Sequence, residues 1–402
     1  MTVIDLRAAR NDPDRYRAAL ARKGATDAFE KLLAADARWR GLVGQVEALR
    51  ARPKLSGRPT PEQAEELKRV KEELHRAEEE LAAAENERTA ALQRVPNPPH
   101  ESVPDGSSEE DALELRRIGE RPSLERLREH TDVGRFDMER AARLSGSRFG
   151  YLIGDTALLA LALYRFALDR LVDRGFTPMI PPVLVREAAM YGTGFFPTEQ
   201  VNIYEIERDG LYLTGTSEVA LAGLHMGEIL GAEELPLRYA AFSTCFRREA
   251  GAASKDTRGM FRVHQFNKVE MFVFSRPEYS WEEHEQLLAI EEDLVRTLGL
   301  PYRVVNVAAG DLGGPAAKKY DIEAWFPSQG RYREITSCSN TTDFQARRLN
   351  TRFRAERQTQ LVHTLNGTAI TDRALLAILE NLQGGVPEVL QTYGAPAQVQ
   401  PR

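Results

Sequence analysis

The chain has 402 residues, 42% of them hydrophobic and 28% charged, with a formal net charge of -6. That length implies more than one domain, and the apolar fraction excludes wholesale disorder. No apolar run approaches the roughly 18 residues that span a bilayer, and the two isolated cysteines, Cys245 and Cys338, build no disulfide framework.

The first ten residues lack the apolar segment of a secretion signal, so a soluble cytoplasmic protein is expected. Asn11-Asp12-Pro13-Asp14 predicts a helix start, because proline loses nothing where its missing N–H would be unpaired anyway. A short helix to about Arg22 follows. From Phe29 apolar residues recur every seven: Leu32, Trp39 and Val46 in one series, Ala35, Leu42 and Leu49 in another. Pro53 ends the run, and Ser56-Gly57-Arg58-Pro59 reads as a turn. Thr60, Pro61 and Gln63 supply an N-cap, a first helical proline and the reciprocal capping side chain. Leu67, Leu74 and Leu81 then alternate with Val70, Ala77, Ala84 and Ala91 along a second heptad seam. At 1.5 Å per residue, Pro61 to Val95 spans about 50 Å.

The two runs predict an antiparallel coiled-coil hairpin over about 29–95. A dimerisation coiled coil is the plainer alternative. The tip carries Arg50, Arg52, Lys54 and Arg58 with few acids, which suits a polyanion, although a solvated tip has the same charges. Residues 96–111, rich in Pro, Ser, Asp and Glu, predict a linker. The arm is accordingly taken as 1–108 and the second domain as 109–402.

Beyond the linker, an apolar helix is expected from about Thr156 to Arg174, closed by Gly175. Strand-like segments follow: Gly210 to Thr214, Arg238 to Arg247, Phe261 to Phe274, Tyr302 to Val307, Asp321 to Trp325 and Tyr332 to Ser337. Few regular helices separate them, which argues for an antiparallel sheet rather than a doubly wound parallel one. Two more helices are expected, about Thr342 to Arg354 and Thr371 to Gln383. The fold class is α+β. No Walker A or G-x-G-x-x-G occurs; Gly310-Asp311-Leu312-Gly313-Gly314 lacks the following Lys-Ser/Thr and reads as a loop near the site.

The stretch Cys245 to Gly251, then Asp256-Thr257-Arg258-Gly259, then Arg262 to Glu270 reads as strand, loop, strand. Phe246-Arg247-Arg248-Glu249 with its return strand resembles motif 2 of class II aminoacyl-tRNA synthetases. The longer match to Glu270 is similar to the seryl-tRNA synthetase family. So are Thr216-Ser217-Glu218, the run Glu334 to Asn340 with Asp343 to Arg348, Asn366-Gly367-Thr368, and the ending Leu379-Glu380-Asn381 with Val386 to Leu390. The resemblance runs along nearly the whole chain, arm included.

It implies an N-terminal helical arm, a class II antiparallel sheet flanked by helices, and ATP-dependent conversion of L-serine to seryl-adenylate. Transfer to tRNA(Ser) follows, with tRNA(Sec) as a further candidate acceptor. By position, Arg247 matches the contact to the α-phosphate and the amino-acid carboxylate, as an always-charged bidentate fork suits. Glu249 matches the reader of the adenine amino group, Phe266 the plate beneath the base, and Arg373 the motif 3 arginine on adenine and γ-phosphate. Arg248, Val263, Ile335 and Thr336 complete the implied ATP site. Glu334 and Ser337 match magnesium ligands, hard oxygens for a hard cation. Serine falls to Thr216, Glu218, Glu270 and Thr368 with Arg247, and a pocket that must hydrogen-bond a hydroxyl rejects alanine. Arg258, in the loop, joins the arm's tip as a tRNA contact. The motif 1 dimer element falls on the helix ending at Gly175 and on Phe176 to Leu184; without the resemblance an ordinary helix-to-strand junction is the better reading.

Zinc is not expected with two separated cysteines and no H-x-H. Asn366-Gly367 is most simply a turn before the last helix. Asp372, directly before Arg373, departs from the family pattern: it either competes with phosphate or points to solvent. Asn267 replaces a frequent aspartate, and Ala220 a frequent proline. Two alternatives stand beside the housekeeping enzyme: a specialised paralogue serving a biosynthetic or inhibitor-resistance role, and an activity-poor RNA-binding paralogue.

Overall fold

In a computed structural model the described residues are 4–52, 60–124, 126–250, 256, 259–356 and 358–400. They divide into two compact units, Met1–Pro98 and Pro99–Arg402.

The first unit is helical: α1 (Leu6–Asn11), α2 (Pro13–Ala21), α3 (Thr26–Arg50) and α4 (Pro61–Gln93). The capping box is present as the sequence predicts, Thr60 accepting from the Gln63 N–H and the Gln63 side chain from the Thr60 N–H. Leu32, Ala35, Val46 and Leu49 of α3 are buried, as are Ala77 and Ala84 of α4. Leu67, near the start of α4, is exposed, so the seam is not closed along its whole length. Asp36 is buried within α3 and faces three guanidinium groups, from Arg10, Arg40 and Arg88. Arg88 in turn lies 4.3 Å from the Trp39 ring centroid.

The second unit is built on eight strands: β1 (Leu113–Ile118), β2 (Thr177–Met179), β3 (Leu237–Phe246), β4 (Gln265–Ser275), β5 (Tyr302–Asn306), β6 (Lys318–Phe326), β7 (Arg331–Asn340) and β8 (His363–Thr371). Their order is β1-β5-β6-β7-β8-β4-β3-β2. All neighbours are antiparallel except β2, which runs parallel to β3. Helices pack against the sheet: α5 (Asp155–Val172), α6 (Glu218–Gly223), α7 (Ser280–Thr297), α8 (Phe344–Leu349) and α9 (Asp372–Leu382). The main core lies between sheet and helices, with Leu163, Phe166, Val269, Leu294 and Ile378 fully or almost fully buried.

Four expectations change. Residues 99–111 are fastened to the sheet unit: the His100 N–H bonds the Ala317 carbonyl, the Ala309 N–H bonds that of Pro104, and Val103 is buried with Val307 and Leu312. The boundary between compact units therefore falls at Pro98/Pro99. The helix expected over 342–354 stops at Leu349, where Asn350 adopts φ +57, and the strand Arg352–Ala355 follows. Asn366 and Gly367 are no turn; they sit in the middle of β8, paired to Phe272 and Met271 of β4. α7 was not expected at all, and it underlies the sheet through His284, whose Nε2 donates to the Cys338 carbonyl.

Candidate active site

A cavity of about 380 Å³ opens over β4, β7 and β8. Alternation along β4 turns Phe266, Lys268 and Glu270 to it together. On β7, Glu334 and Ser337 are an odd number apart and ordinarily face opposite sides. Glu334 pairs with Glu323 and Thr336 with Ile322, leaving Ile335 as a bulge that resets the alternation. Ala369 is the matching extra residue on β8, so Thr368 and Thr371 both line the cavity. Thr336 bonds downward to Glu291 of α7 at 3.1 Å.

One end of the cavity is rich in guanidinium groups. Arg247 leaves β3, donates from Nε to the Gly215 carbonyl at 3.2 Å and lies 5.2 Å from the Phe266 ring centroid. Arg373, at the start of α9, donates to the Glu334 carbonyl at 3.0 Å and to its carboxylate at 3.3 Å. Phe261 has Arg333 at 3.8 Å and Arg373 at 4.7 Å from its ring centroid. Glu249, at φ +51, accepts from Arg262 at 2.6 Å. Burial opposes the charge of Glu334, but Lys319, Arg373 and Arg247 outweigh it and hold the carboxyl well below its ordinary range.

The other end holds carboxylates. Glu218 Oε1 accepts from Gln345 at 2.7 Å and from Asn366 at 2.9 Å. Burial, and then the charge of Glu270, raise its pKa to about 7. Glu270 is paired with Lys268, and Thr368 Oγ1 donates to it at 3.5 Å. Such a combination of donors and acidic groups, with guanidinium forks a few residues away, suits a small zwitterion beside a polyphosphate.

Thr216, Glu218, Arg247, Glu249, Val263, Phe266, Glu270, Glu334, Ile335, Thr336, Ser337, Thr368 and Arg373 all line this cavity. Arg248 does not; it is exposed outside the cavity. In the helical unit Arg50 is paired with Glu78 and Arg52 lies 3.9 Å from Glu73, so these two cations face acids of α4. Lys54, Arg58 and Arg258 lie outside the described residues. Asp372 takes a third course, neither phosphate competitor nor solvated: its carboxylate accepts from the Tyr164 hydroxyl of α5 and from the Asn267 N–H of β4, and burial raises its pKa to about 6. Lys268, Phe261, Arg333 and Gln345 are additions to which the sequence assigns no role. For Lys268 the two-residue period between Phe266 and Glu270 was the available signal.

Among the described residues no group of three or more His, Cys, Asp or Glu side chains is arranged to hold a metal. An ionised Glu334 and the Ser337 hydroxyl on one face fit a cation that takes few protein ligands and completes its shell with phosphate and water, the habit of magnesium. No helix is long and apolar enough to cross a membrane, among those described.

The tRNA synthetase class II core domain (G, H, P, S and T) matches residues 202–382, and the seryl-tRNA synthetase N-terminal domain matches 3–99. A serine–tRNA ligase of Thermobifida fusca is 47% identical over 97% of both chains. A crystal structure of seryl-tRNA synthetase from Pyrococcus horikoshii complexed with ATP is 40% identical, with a TM-score of 0.92, covering 99% of this chain and all of that one. A cytoplasmic serine–tRNA ligase from Naegleria fowleri in complex with AMP is 32% identical, with a TM-score of 0.86 over 97% of this chain and 96% of that one.

Proposed function

This chain belongs to the serine–tRNA ligase family of class II synthetases, and from that premise we propose that its cleft activates L-serine with ATP and transfers it to tRNA(Ser). The observation that carries the proposal is the meeting, in one cavity, of Arg247 and Arg373 with the Glu218, Glu270 and Thr368 group.

In the first step a serine carboxylate oxygen attacks the α-phosphorus of ATP, and the bond to pyrophosphate breaks. No protein nucleophile is required; alignment and charge neutralisation suffice. Arg247 spans the carboxylate and the α-phosphate. Phe266 supports the adenine, Glu249 reads its amino group once Arg262 yields, and Arg373 covers base and γ-phosphate. Val263, Ile335 and Thr336 line the nucleotide end. Glu334 and Ser337 would hold Mg2+, which would neutralise phosphate charge. Glu218 and Glu270 receive the ammonium and hydroxyl of serine with Thr216 and Thr368. In the second step the terminal ribose hydroxyl of tRNA attacks the carbonyl and AMP leaves.

The helical unit serves as the tRNA arm, with Arg50 and Arg52, and with Lys54, Arg58 and Arg258 from outside the described residues, as phosphate contacts. Their pairing with Glu78 and Glu73 means Arg50 and Arg52 exchange partners when RNA binds. A homodimer through α5 and the strand after it is supported by exposed Leu158, Leu161 and Ile180, the last 84% accessible. A cytoplasmic location goes with the substrates, since tRNA and ATP are both held there. Nothing in the cleft favours the RNA-binding paralogue.

Serine-dependent exchange of pyrophosphate into ATP tests the proposal. Wild-type protein is expected to exchange with serine and not with alanine, and Arg247→Ala to lose at least about a hundredfold. No serine dependence overturns the activity; near wild-type exchange by Arg247→Ala overturns the role of that arginine.

A further inference from the structure

Lys268 stands between residues that the proposed function assigns to serine, and the role inferred for it rests on that reading. It lies on β4 between Phe266 and Glu270 and shares their cleft face, yet is only 6% exposed. A buried ammonium persists where its charge is paired and its protons find acceptors. Lys268 Nζ forms an ion pair with Glu270 and donates to Thr216 Oγ1 at 2.6 Å. That hydroxyl also accepts the Glu218 N–H at 3.2 Å. A threonine hydroxyl has two acceptor sites and one proton. Both acceptor sites are taken, so Thr216 faces the cleft as a donor only.

Glu270 is the counterpart. Burial pushes its carboxyl up, and Lys268 is the largest influence opposing that push. One ammonium thus fixes two polarities, a donor at Thr216 and an ionised acceptor at Glu270. Such a pair matches a hydroxyl, which both accepts and donates, and leaves a methyl group with two unmet partners. Among the described residues, the other titratable or charged groups facing this cluster are Glu218 from α6, Cys245 from β3, Arg247 just past the end of β3, and Glu291 from α7.

We propose that Lys268 is a positioning residue for L-serine, locking Thr216 as donor and Glu270 as acceptor at the amino-acid end of the cleft. It touches neither phosphate nor nucleotide in this role, so serine and ATP must respond differently to its loss.

The experiment is steady-state pyrophosphate exchange from pH 6 to 9 with wild type, Lys268→Met, Lys268→Gln and Lys268→Arg, varying serine and ATP separately. Wild-type protein without serine-dependent exchange would remove the functional reading itself before any variant is compared. Given wild-type activity, Met and Gln are expected to raise the serine KM at least about thirtyfold at pH 7. The ATP KM stays within about threefold. Serine kcat/KM of these variants gains an additional rising limb toward high pH, as Glu270 ionises without its cation, while Lys268→Arg shows none. Serine and ATP KM rising together, or parallel pH profiles in all four proteins, overturn the proposal. If the neutral variants do not fold, judged by loss of the ATP-induced rise in melting temperature, Lys268→Arg decides. A raised serine KM at unchanged ATP KM, with weaker rejection of alanine, supports the proposal; wild-type values for both overturn it.

Discussion

Glu218 shows how much a single carboxyl can set. Its pKa of about 7 comes from burial and from the neighbouring charge of Glu270. The ionised form is the one that receives an ammonium, and it is lost as pH falls through 7. Serine kcat/KM is therefore expected to drop about tenfold per pH unit below 7 while the ATP KM stays level. Glu218→Gln should raise the serine KM and abolish that limb; a limb that survives the substitution assigns it to another group. Residues of this kind were half legible. Arg247, Glu249, Phe266 and Glu270 stand out through the resemblance to the synthetase motifs, since their charges alone also suit a surface hairpin with salt bridges. Lys268 and Gln345 do not, because their meaning lies in partners distant in sequence: Thr216 for one, Glu218 for the other.

At the scale of elements, the heptad hairpin, its capping box and the long helix α5 follow directly from periodicity and local caps. α7 was hidden. Its buried face includes Glu283, His284, Glu291 and Glu292, so a core-facing helix reads as a charged stretch. Two of these side chains are satisfied by residues distant in sequence: Glu283 by Arg238, Glu292 by Arg116 and Tyr302. β8 was hidden for the opposite reason, since Asn-Gly is a strong turn signal that tertiary pairing overrides here. Asp36 shows the same dependence within the helical unit, being held by arginines from α1, α3 and α4. Asp36→Ala leaves three partly exposed arginines without their shared buried acid and should destabilise the unit by roughly 1–3 kcal/mol. Amide hydrogen exchange in the full-length chain measures this as lost protection in α3 and α4; protection equal to wild type would assign Asp36 no structural weight.

The whole molecule separates into a unit with a narrow helical seam and one with a broad sheet core. Net charge concealed this. A total of -6 is a sum over two unlike units and does not by itself exclude RNA contact. If the helical unit serves only tRNA, deletion of residues 38–88 should leave serine-dependent exchange within about threefold of wild type and reduce tRNA charging by at least about a hundredfold. Equal loss of both activities would mean that the hairpin supports the catalytic unit. The stretch after the helical unit reads as a linker because a polar, proline-rich segment can be tied down by backbone hydrogen bonds that composition does not reveal.

The bulges at Ile335 and Ala369 bear on folding as well as on chemistry. Each exchanges the upper and lower faces partway along a central strand, so the residues above the break and those below it obey opposite parities. A strand of uniform parity can slide by two and still bury its apolar side. In β7 and β8 such a slide also carries the extra residue away from the partner position it is set against. The register of both strands is thus pinned at the same two positions that bring the cleft-facing side chains together.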